Sequence, residues 1–534
     1  MNRAPFLLGI DIGGTGAKAG LFSLDGALVQ SGYSEYEMLS DVPGQAEHDA
    51  ESWWKATIQA VREAIGDVNS GDILGVGVGG TNGLIAVNRE ARPLRSAIML
   101  WDQRSLPEVE RIRQTVNAER VFEVTGNPLA PGAYSLPTIL WLKHHDPICF
   151  AAAHKLMVPT GYVVARLTGE FTVDYSRACT TLLFDIQRLE WHMPFFEAFD
   201  IPPEKLPRPV PSQEIAGHIT PEAATLTGLK HGTPVIAGCM DTIGASIGSG
   251  SMNPGNCFII MGTAARVSVT LGRPQFDRRF MNCSHVLPER WLSIGAINGV
   301  GSSLRWVRDN FGQLEKAVAS MIGQNVYDLI TAQAAQAPPG SKGLVFLPYM
   351  SGERTPIWNP YARGVFFGVT LGHQRNDFLR SVLEGAAFAI RHVVEIMETE
   401  GGLTITDLRI GGAAAANPVW NQIIADVLGK TVVSLTQPQT EVLGSAILAA
   451  VGVGACSDYE SVLERAVILD RAFLPDDRAH TAYNQLFPIY KELYADVKPY
   501  FERLANLDLP QVWVNSENTR AGLPPATLNA PGRR

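Results

Sequence analysis

The sequence predicts an α/β fold made of two lobes of similar architecture. A unit of strand, glycine turn and strand near the start returns in the second half, at NCFIIMGTAARVSVTLG. Residues 74–80 (LGVGVGG) and 408–412 (LRIGG) each predict a strand that ends in two glycines. The chain has 534 residues, which is too many for one core of ordinary size.

The first half opens with strands. Residues 6–31 predict strands joined by a glycine turn and an Asp-Gly turn. A helix follows near 49–66, where Asp49 can cap and the apolar residues have helical spacing. The next segment, DILGVGVGGTNGLIAV, again predicts strand, glycine turn and strand, whereas residues 105–230 are helical and rich in loops.

The second half repeats this order. After strands in TPVIAGCMD and NCFIIMGTAARVSVTLG, the pattern predicts helices near 376–400, 418–428 and 441–451, separated by the strands LRIGG and TVVSL. We expect an N-terminal lobe over residues 1–250 and a C-terminal lobe over 251–480. Residues 481–534 are expected to form a helix and an irregular tail, because the end is rich in Pro, Asn and Gly.

Composition excludes some classes of function. The net charge is -9, and nucleic-acid binding needs clustered Lys and Arg, so no nucleic-acid partner is expected. The six cysteines include no C-x-x-C pair, which is typical of reduced intracellular thiols. The start resembles no signal peptide and no stretch reaches ~20 apolar residues, so we expect a cytoplasmic protein without a membrane partner.

The glycine turns can hold a polyphosphate. In Gly13-Gly14-Thr15 the glycines expose backbone N–H groups, Thr15 adds a hydroxyl, and Lys18 can add charge. Two lobes whose glycine turns face each other would form a suitable cleft. A plain hairpin turn without a ligand remains the alternative for this segment.

Two acids stand at strand ends. Asp11 ends an apolar strand, and a buried carboxylate needs a partner, which can be a metal held through water or the hairpin that it caps. Asp241 precedes a stretch of small residues and can act as a catalytic base or as a helix N-cap.

Five segments together resemble the FGGY family of carbohydrate kinases, over roughly residues 5–455. The most specific is 364–384, GVFFGVTLGHQRNDFLRSVLE, and the preceding PYMSGERTPIWNPYARG is similar to the xylulose-kinase branch. The segments 411–433, MGTAARV and AGCMDTIGAS are similar to the family's adenosine block, second phosphate loop and catalytic-base block. The resemblance implies two duplicated actin-like (ribonuclease-H-like) lobes, with ATP and Mg²⁺ in the cleft and a sugar beneath the γ-phosphate.

The resemblance also implies roles for individual residues. Asp241 becomes the base and Asp11 the magnesium-side acid. The residues implied for ATP are Gly14, Thr15 and Lys18 in the first phosphate loop, Gly262 and Thr263 in the second, and Gly412, Ala413 and Asn417 at the adenosine.

The sugar site departs from the family. Xylulose kinases carry Q-M-H-G where this chain has Gly80-Thr81-Asn82-Gly83. Asn82 can still donate to and accept from a polyol. Thr81, Asn82, Trp101, Asp102 and Asp241 are the expected substrate-binding residues, with packing in the core as the alternative for Trp101.

D-xylulose is the first expected substrate, with L-xylulose, ribulose, erythritol or another polyol as alternatives. A non-catalytic nucleotide-binding protein on the same fold is the alternative from another class. A homodimer is expected only on the general frequency of dimers.

Overall fold

A computed structural model describes residues 5–39, 42 and 44–507 of the chain. The strands of the first half are β1 (Phe6–Ile12), β2 (Gly16–Ser23), β3 (Leu28–Glu35), β4 (Glu47–His48), β5 (Ile73–Gly80), β6 (Gly83–Val87), β7 (Ala97–Met99), β8 (Lys155–Met157), β9 (Thr172–Asp174), β10 (Phe184–Asp185), β11 (Glu190–Trp191), β12 (Arg208–Val210), β13 (Ile215–His218), β14 (Pro234–Ile236) and β15 (Cys239–Met240). Its helices are α1 (Ala50–Ile65), α2 (Leu106–Val116), α3 (Ala118–Thr125), α4 (Ser135–His145), α5 (Pro147–Ala152), α6 (Pro159–Thr168), α7 (Tyr175–Ala178), α8 (Met193–Ala198), α9 (Pro221–Thr227) and α10 (Asp241–Gly248).

The second half continues the same numbering. Its strands are β16 (Asn256–Met261), β17 (Ala265–Leu271), β18 (Met281–Ser284), β19 (Trp291–Ile297), β20 (Val345–Leu347), β21 (Val365–Phe367), β22 (Asp407–Gly411), β23 (Val432–Leu435) and β24 (Leu469–Phe473). Its helices are α11 (Gly301–Phe311), α12 (Gln313–Ile322), α13 (Val326–Ala334), α14 (Arg375–Thr399), α15 (Pro418–Leu428), α16 (Thr440–Gly452), α17 (Tyr459–Ala466) and α18 (Asp477–Ala505).

Two seven-stranded sheets repeat one plan. The first has the order β13-β14-β5-β1-β2-β3, with β15 also paired to β5, and the second has the order β18-β19-β17-β16-β22-β23-β24. In the first sheet β1 is antiparallel to β2 and parallel to β5; in the second, β16 is antiparallel to β17 and parallel to β22. The prediction of two α/β lobes is confirmed.

The second glycine-turn unit is arranged differently from the first. β5 and β6 are strands, as the pattern predicts, but β6 leaves the large sheet and pairs with β7 and β8 in a four-stranded sheet. At the turn between them, the Thr81 N–H donates to the carbonyl of Ile12 at 2.8 Å, which ties the chain to β1. The turn therefore directs the chain across the sheet end instead of closing a hairpin.

Helices α10 and α16 join the two lobes. An added Cβ at Gly444 would lie 1.7 Å from the carbonyl oxygen of Gly244, and one at Gly248 would lie 2.0 Å from the carbonyl oxygen of Thr440. Only glycine permits this approach of two helix backbones. Apolar residues of both helices, including Ile243 and Ile447, belong to one buried cluster. The positions of α10 and α16 are consequently coupled.

Other features of the described residues agree with the sequence analysis or fall outside it. All six cysteines are free thiols, and no helix in the described ranges is long and apolar enough to cross a bilayer. The predicted irregular tail lies outside the described residues from 508 onward. We propose the lobe division at residue 250, in the segment between α10 and β16.

Candidate active site

The first glycine turn joins β1 to β2. The Gly13 N–H donates to the carbonyl of Gly16 at 3.0 Å, and Thr15 is exposed at the tip. Lys18 lies directly opposite Asp11 in the antiparallel β1–β2 ladder. The turn thus presents Gly14 and the Thr15 hydroxyl to solvent, with Lys18 and Asp11 behind them.

The second glycine turn joins β16 to β17 in the same way. The Gly262 N–H donates to the carbonyl of Ala264 at 2.9 Å, and Thr263 is exposed. The Arg305 guanidinium donates to the Thr263 hydroxyl at 2.9 Å. Each lobe therefore contributes one short turn with an exposed threonine.

The predicted adenosine block follows β22. Gly412 has φ +89, and an added Cβ would lie 2.6 Å from the carbonyl oxygen of Met261, so this position requires glycine. Ala413 begins a short 3-10 turn. Asn417 caps α15 by accepting from the Trp420 N–H, and its amide donates to Thr331 at 2.8 Å. The Asn417 side chain is committed to holding helices together, and its contact with adenosine stays a prediction.

Asp11 is a buried carboxyl in need of a partner. Its residue is 4% exposed, and its Oδ1 has no hydrogen-bond partner among the described residues. Burial, together with the neighbouring Glu441 and Asp241, raises the pKa of Asp11 to about 7 against the opposing effect of Lys18. An oxygen ligand of this kind fits a hard cation such as Mg²⁺ held through water. In the described part of the chain no three His, Cys, Asp or Glu side chains converge as a metal cage.

Asp241 is the first residue of α10 and is largely buried. Its Oδ1 accepts from the Thr242 N–H at 2.6 Å and from the Thr242 hydroxyl at 3.0 Å, and its Oδ2 accepts from Arg266 Nη1 at 2.5 Å. Arg177 Nη2 lies 3.6 Å from Oδ1. Burial alone would raise the pKa of Asp241, but Arg266 and Arg177 outweigh burial and hold it below its usual value. The carboxylate is therefore charged at neutral pH.

Asp11 lies near the end of β1, and Asp241 directly follows β15; both strands run parallel to β5, which lies between them. Asp11 of β1 is in register with Gly79 of β5, and Gly79 is in register with Cys239 of β15, which directly precedes α10. The carboxyl ends of these strands meet at one edge of the sheet. Asp11 and Asp241 consequently face the same region. This agrees with the effect of Asp241, whose negative charge raises the pKa of Asp11.

Sequence reasoning missed the charged residues that surround Asp241: Arg177, Arg266 and Glu441. Arg177 is 2% exposed and donates to the carbonyl of Gly80. Glu441 carboxylate Oε1 lies 3.9 Å from Arg266 Nη2. A signal was present for Arg266, because it is the one cation in the apolar strand ARVSVTL. Its partner, Asp241, is 25 residues away in the sequence, so the ion pair could not be predicted from local patterns.

The residues predicted to bind the sugar differ in how far the protein already satisfies their polar groups. Asn82 Nδ2 donates to the carbonyl of Ala133 at 2.9 Å. Asp102 Oδ2 accepts from the Ala46 N–H at 2.6 Å and from Arg104 Nη2 at 2.8 Å, which leaves this carboxylate well satisfied by the protein. Trp101 is 38% exposed, so the alternative of a core side chain is wrong. Its ring edge lies 3.3 Å from an ideal Cβ at Gly14, beside the first turn.

Two duplicated lobes, a glycine turn from each, and a charged carboxylate between them define a phosphotransferase of the actin-like fold. Comparison with known proteins gives the family. The chain matches the N-terminal domain of the FGGY family of carbohydrate kinases over residues 6–248 and the C-terminal domain over 255–453. It belongs to the FGGY family of carbohydrate kinases, whose members take the phosphoryl group from ATP.

Relatives of two specificities are similar to this chain. A gluconokinase of Bacillus subtilis (strain 168) is 29% identical over 94% of this chain and 98% of its own length. A xylulose kinase of Escherichia coli (strain K12) is 30% identical over 92% of this chain and 99% of its own length. The crystal structure of a xylulose kinase from Rhodospirillum rubrum superposes with a TM-score of 0.82, at 29% identity, over 93% of this chain and 100% of its own.

Proposed function

We propose that this kinase phosphorylates a hydroxyl of a ketopentose, with xylulose as the first candidate. The observation that carries the proposal is the charged Asp241 carboxylate, which follows β15 at the end of the first sheet and accepts a hydrogen bond from Arg266, just after the glycine turn of the second sheet. The similar xylulose kinases support the substrate class.

Asp241 would accept the proton of the sugar hydroxyl as the hydroxyl oxygen attacks the γ-phosphorus. Its lowered pKa makes it a weak base. A weak base suffices because the transition state of phosphoryl transfer is loose and proton transfer is late. The main task of the site is then to position the reactants and to neutralise charge.

ATP would lie between the lobes. Gly14, Thr15 and Lys18 would contact its phosphates from the N-terminal lobe, and Gly262 and Thr263 from the C-terminal lobe. Gly412, Ala413 and Asn417 would face the adenosine. The exposed Thr15 and Thr263 hydroxyls support this arrangement.

Asp11 would hold Mg²⁺ through water. Its unpartnered, buried Oδ1 and its raised pKa both favour a bound cation, since a cation stabilises the ionised carboxylate. When bound, the ion would neutralise charge on the ATP phosphates.

The sugar would contact Thr81, Asn82, Trp101, Asp102 and Asp241. The half-exposed Trp101 beside Gly14 can cover the C–H face of a sugar. Asn82 and Asp102 already bond to the protein, so they would act mainly by shaping the site. Gluconate is a second candidate because a gluconokinase is about as similar to this chain as the xylulose kinases are.

A substrate panel tests the proposal. D-xylulose, L-xylulose, ribulose, erythritol and gluconate would each be assayed with Mg-ATP in a coupled measurement of ADP release, scored by kcat/KM. We expect sugar-dependent ADP release with the highest value for D-xylulose. Nucleotide binding without ADP release in the presence of any of these sugars would instead favour a non-catalytic nucleotide-binding protein. A cytoplasmic location and a homodimer remain proposals.

A further inference from the structure

Arg266 connects the second glycine turn to the proposed base. It is the second residue of β17, directly after the turn that contains Gly262 and Thr263. From there its guanidinium reaches Asp241 Oδ2 at 2.5 Å and lies 3.9 Å from Glu441. One side chain thus spans the distance from a phosphate turn to the acceptor side of the site.

In-line phosphoryl transfer places the moving group on this path. The γ-phosphoryl leaves an oxygen of ADP, which the turns would hold, and joins a hydroxyl oxygen beside Asp241. The backbone of Arg266 directly follows the turn that would hold ADP, and its guanidinium lies beside Asp241, where the hydroxyl oxygen would be. The guanidinium therefore borders the space that the transferring group must cross.

The negative charge in this region requires a cation to neutralise it. Asp241 and Glu441 both act on the carboxyl group of Asp11 through their negative charge, and a phosphoryl group adds further negative charge. The Arg177 side chain is 2% exposed and donates to the backbone carbonyl of Gly80, so a ligand in the cleft cannot reach it. The Arg266 side chain is 29% exposed, so a ligand can reach it.

Arg266 also retains free donors. Nη1 donates to Asp241, whereas Nη2 is too far from Glu441 for a hydrogen bond. A guanidinium has five N–H donors in a planar fork that matches phosphate oxygens. Glu441 can therefore orient the guanidinium by charge while its donors stay free.

We propose that Arg266 is a catalytic residue of the kinase reaction that neutralises charge on the transferring phosphoryl group. This inference rests on the proposed function. In the transfer the sugar oxygen forms a bond to the γ-phosphorus, the bond from phosphorus to the ADP oxygen breaks, and the hydroxyl proton passes to Asp241. Arg266 makes only hydrogen bonds and exchanges no proton.

The test compares Arg266→Gln with a matched control, Arg279→Gln. Arg279 lies in the same lobe, has a similar 31% exposed side chain and also pairs with two acids, Asp277 and Glu400. We expect Arg266→Gln to lower kcat by about 10²-fold or more, as loss of a transition-state donor does, and to leave the Kd for ADP within about threefold. The control should keep its kcat. In Arg266→Ala, added guanidinium should restore part of the lost kcat.

A pH profile separates catalysis from a purely electrostatic hold on Asp241. If Arg266 only keeps Asp241 deprotonated, the loss in Arg266→Gln would disappear at high pH, and that result would overturn the proposal. A loss that persists across the profile supports it. If Arg266→Gln does not fold, Arg266→Lys provides the test. We expect Arg266→Lys to lower kcat about tenfold, and an unchanged kcat would contradict the proposed catalytic role of Arg266.

Failure of the two proposals looks different. If the wild-type protein releases no ADP with any sugar, the proposed function has failed. If the wild type turns over and Arg266→Gln does so at a similar rate, only the role of Arg266 is wrong.

Discussion

At the scale of single residues, Asp11 and Asp241 show how surroundings separate two like groups. Both are carboxyls at the ends of buried parallel strands. Among the residues that the structure describes, none donates a hydrogen bond to Asp11 Oδ1, and burial with the neighbouring Glu441 and Asp241 raises the pKa of Asp11 to about 7. Asp241 has two arginines that hold its pKa low. The pair therefore offers one carboxyl suited to the proposed cation and one that stays charged, as the proposed base requires.

Replacement of the proposed base should affect turnover more than binding. We expect Asp241→Asn to lower kcat by about 10²-fold or more, because an amide cannot take the hydroxyl proton. The Kd for ADP, measured by calorimetry, should stay within a few-fold of the wild-type value. Asp309→Asn, at an exposed ion pair on α11, serves as a control and should keep full activity. Near-normal turnover of Asp241→Asn would exclude this role.

The raised pKa of Asp11 predicts a pH-dependent stability. The contribution of such a carboxyl is fully present below its unfolded pKa of 3.8 and is lost as the pH rises through about 7. In Mg²⁺-free buffer, Asp11→Asn should match the wild type near pH 4 and exceed it at pH 8, by up to ~4 kcal/mol. Thermal unfolding at the two pH values measures this difference.

Magnesium provides the control for that experiment. If Asp11 holds Mg²⁺, the ion should stabilise the wild type at pH 8 and leave Asp11→Asn nearly unchanged. A difference between the two proteins that is constant with pH would contradict the assignment of the raised pKa.

At the scale of elements, the contact of α10 with α16 positions the proposed base, Asp241. Asp241 is the first residue of α10 and Glu441 is the second residue of α16. Because Gly244 and Gly444 let the two backbones touch, both acids approach Arg266 from adjoining helix starts. Small residues in this pair of helices therefore affect the chemistry from a distance.

A methyl group at this contact should be costly. We expect Gly444→Ala to destabilise the protein by about 3 kcal/mol, because the added Cβ would lie 1.7 Å from the Gly244 carbonyl oxygen and the helices must separate. It should also lower kcat by moving Asp241. Gly372→Ala is the control, since its Cβ would have only an ordinary contact at 3.7 Å. Equal melting temperatures of the two variants would mean that the helices yield easily.

At the scale of the whole molecule, the proposed ligands are divided between lobes. The predicted sugar contacts lie in the first lobe and the predicted adenosine contacts in the second, and α10 with α16 forms the connection. A ligand that touches both lobes favours their closure, and closure would exclude water from the phosphoryl group.

Binding of sugar and nucleotide should therefore be coupled. We expect the Kd for D-xylulose to fall at least about fivefold when Mg-ADP is present, and the Kd for Mg-ADP to fall by the same factor when the sugar is present. Titration calorimetry in both orders measures this. If the Kd for each ligand is the same with and without the other ligand, the two lobes do not couple the binding of sugar and nucleotide.

Local sequence signals located the elements well. The helix at Pro418–Leu428 has the predicted ends, because Asn417 caps it and Gly429 stops it. Asp49 caps α1 as predicted. These signals act within a few residues of the chain, so they can be read directly. The pairing of β6 was not readable, because strand partners are chosen by the whole sheet.

The sequence by itself determined the two α/β lobes, the two glycine turns, the two strand-end acids and, through its motifs, the kinase family. Only the tertiary structure decided the electrostatics of the site. Arg177, Arg266 and Glu441 come from separate parts of the chain, and their charges act on Asp241 and Asp11 through space. A pKa depends on burial and on the distance to every neighbouring charge, and folding alone fixes those distances.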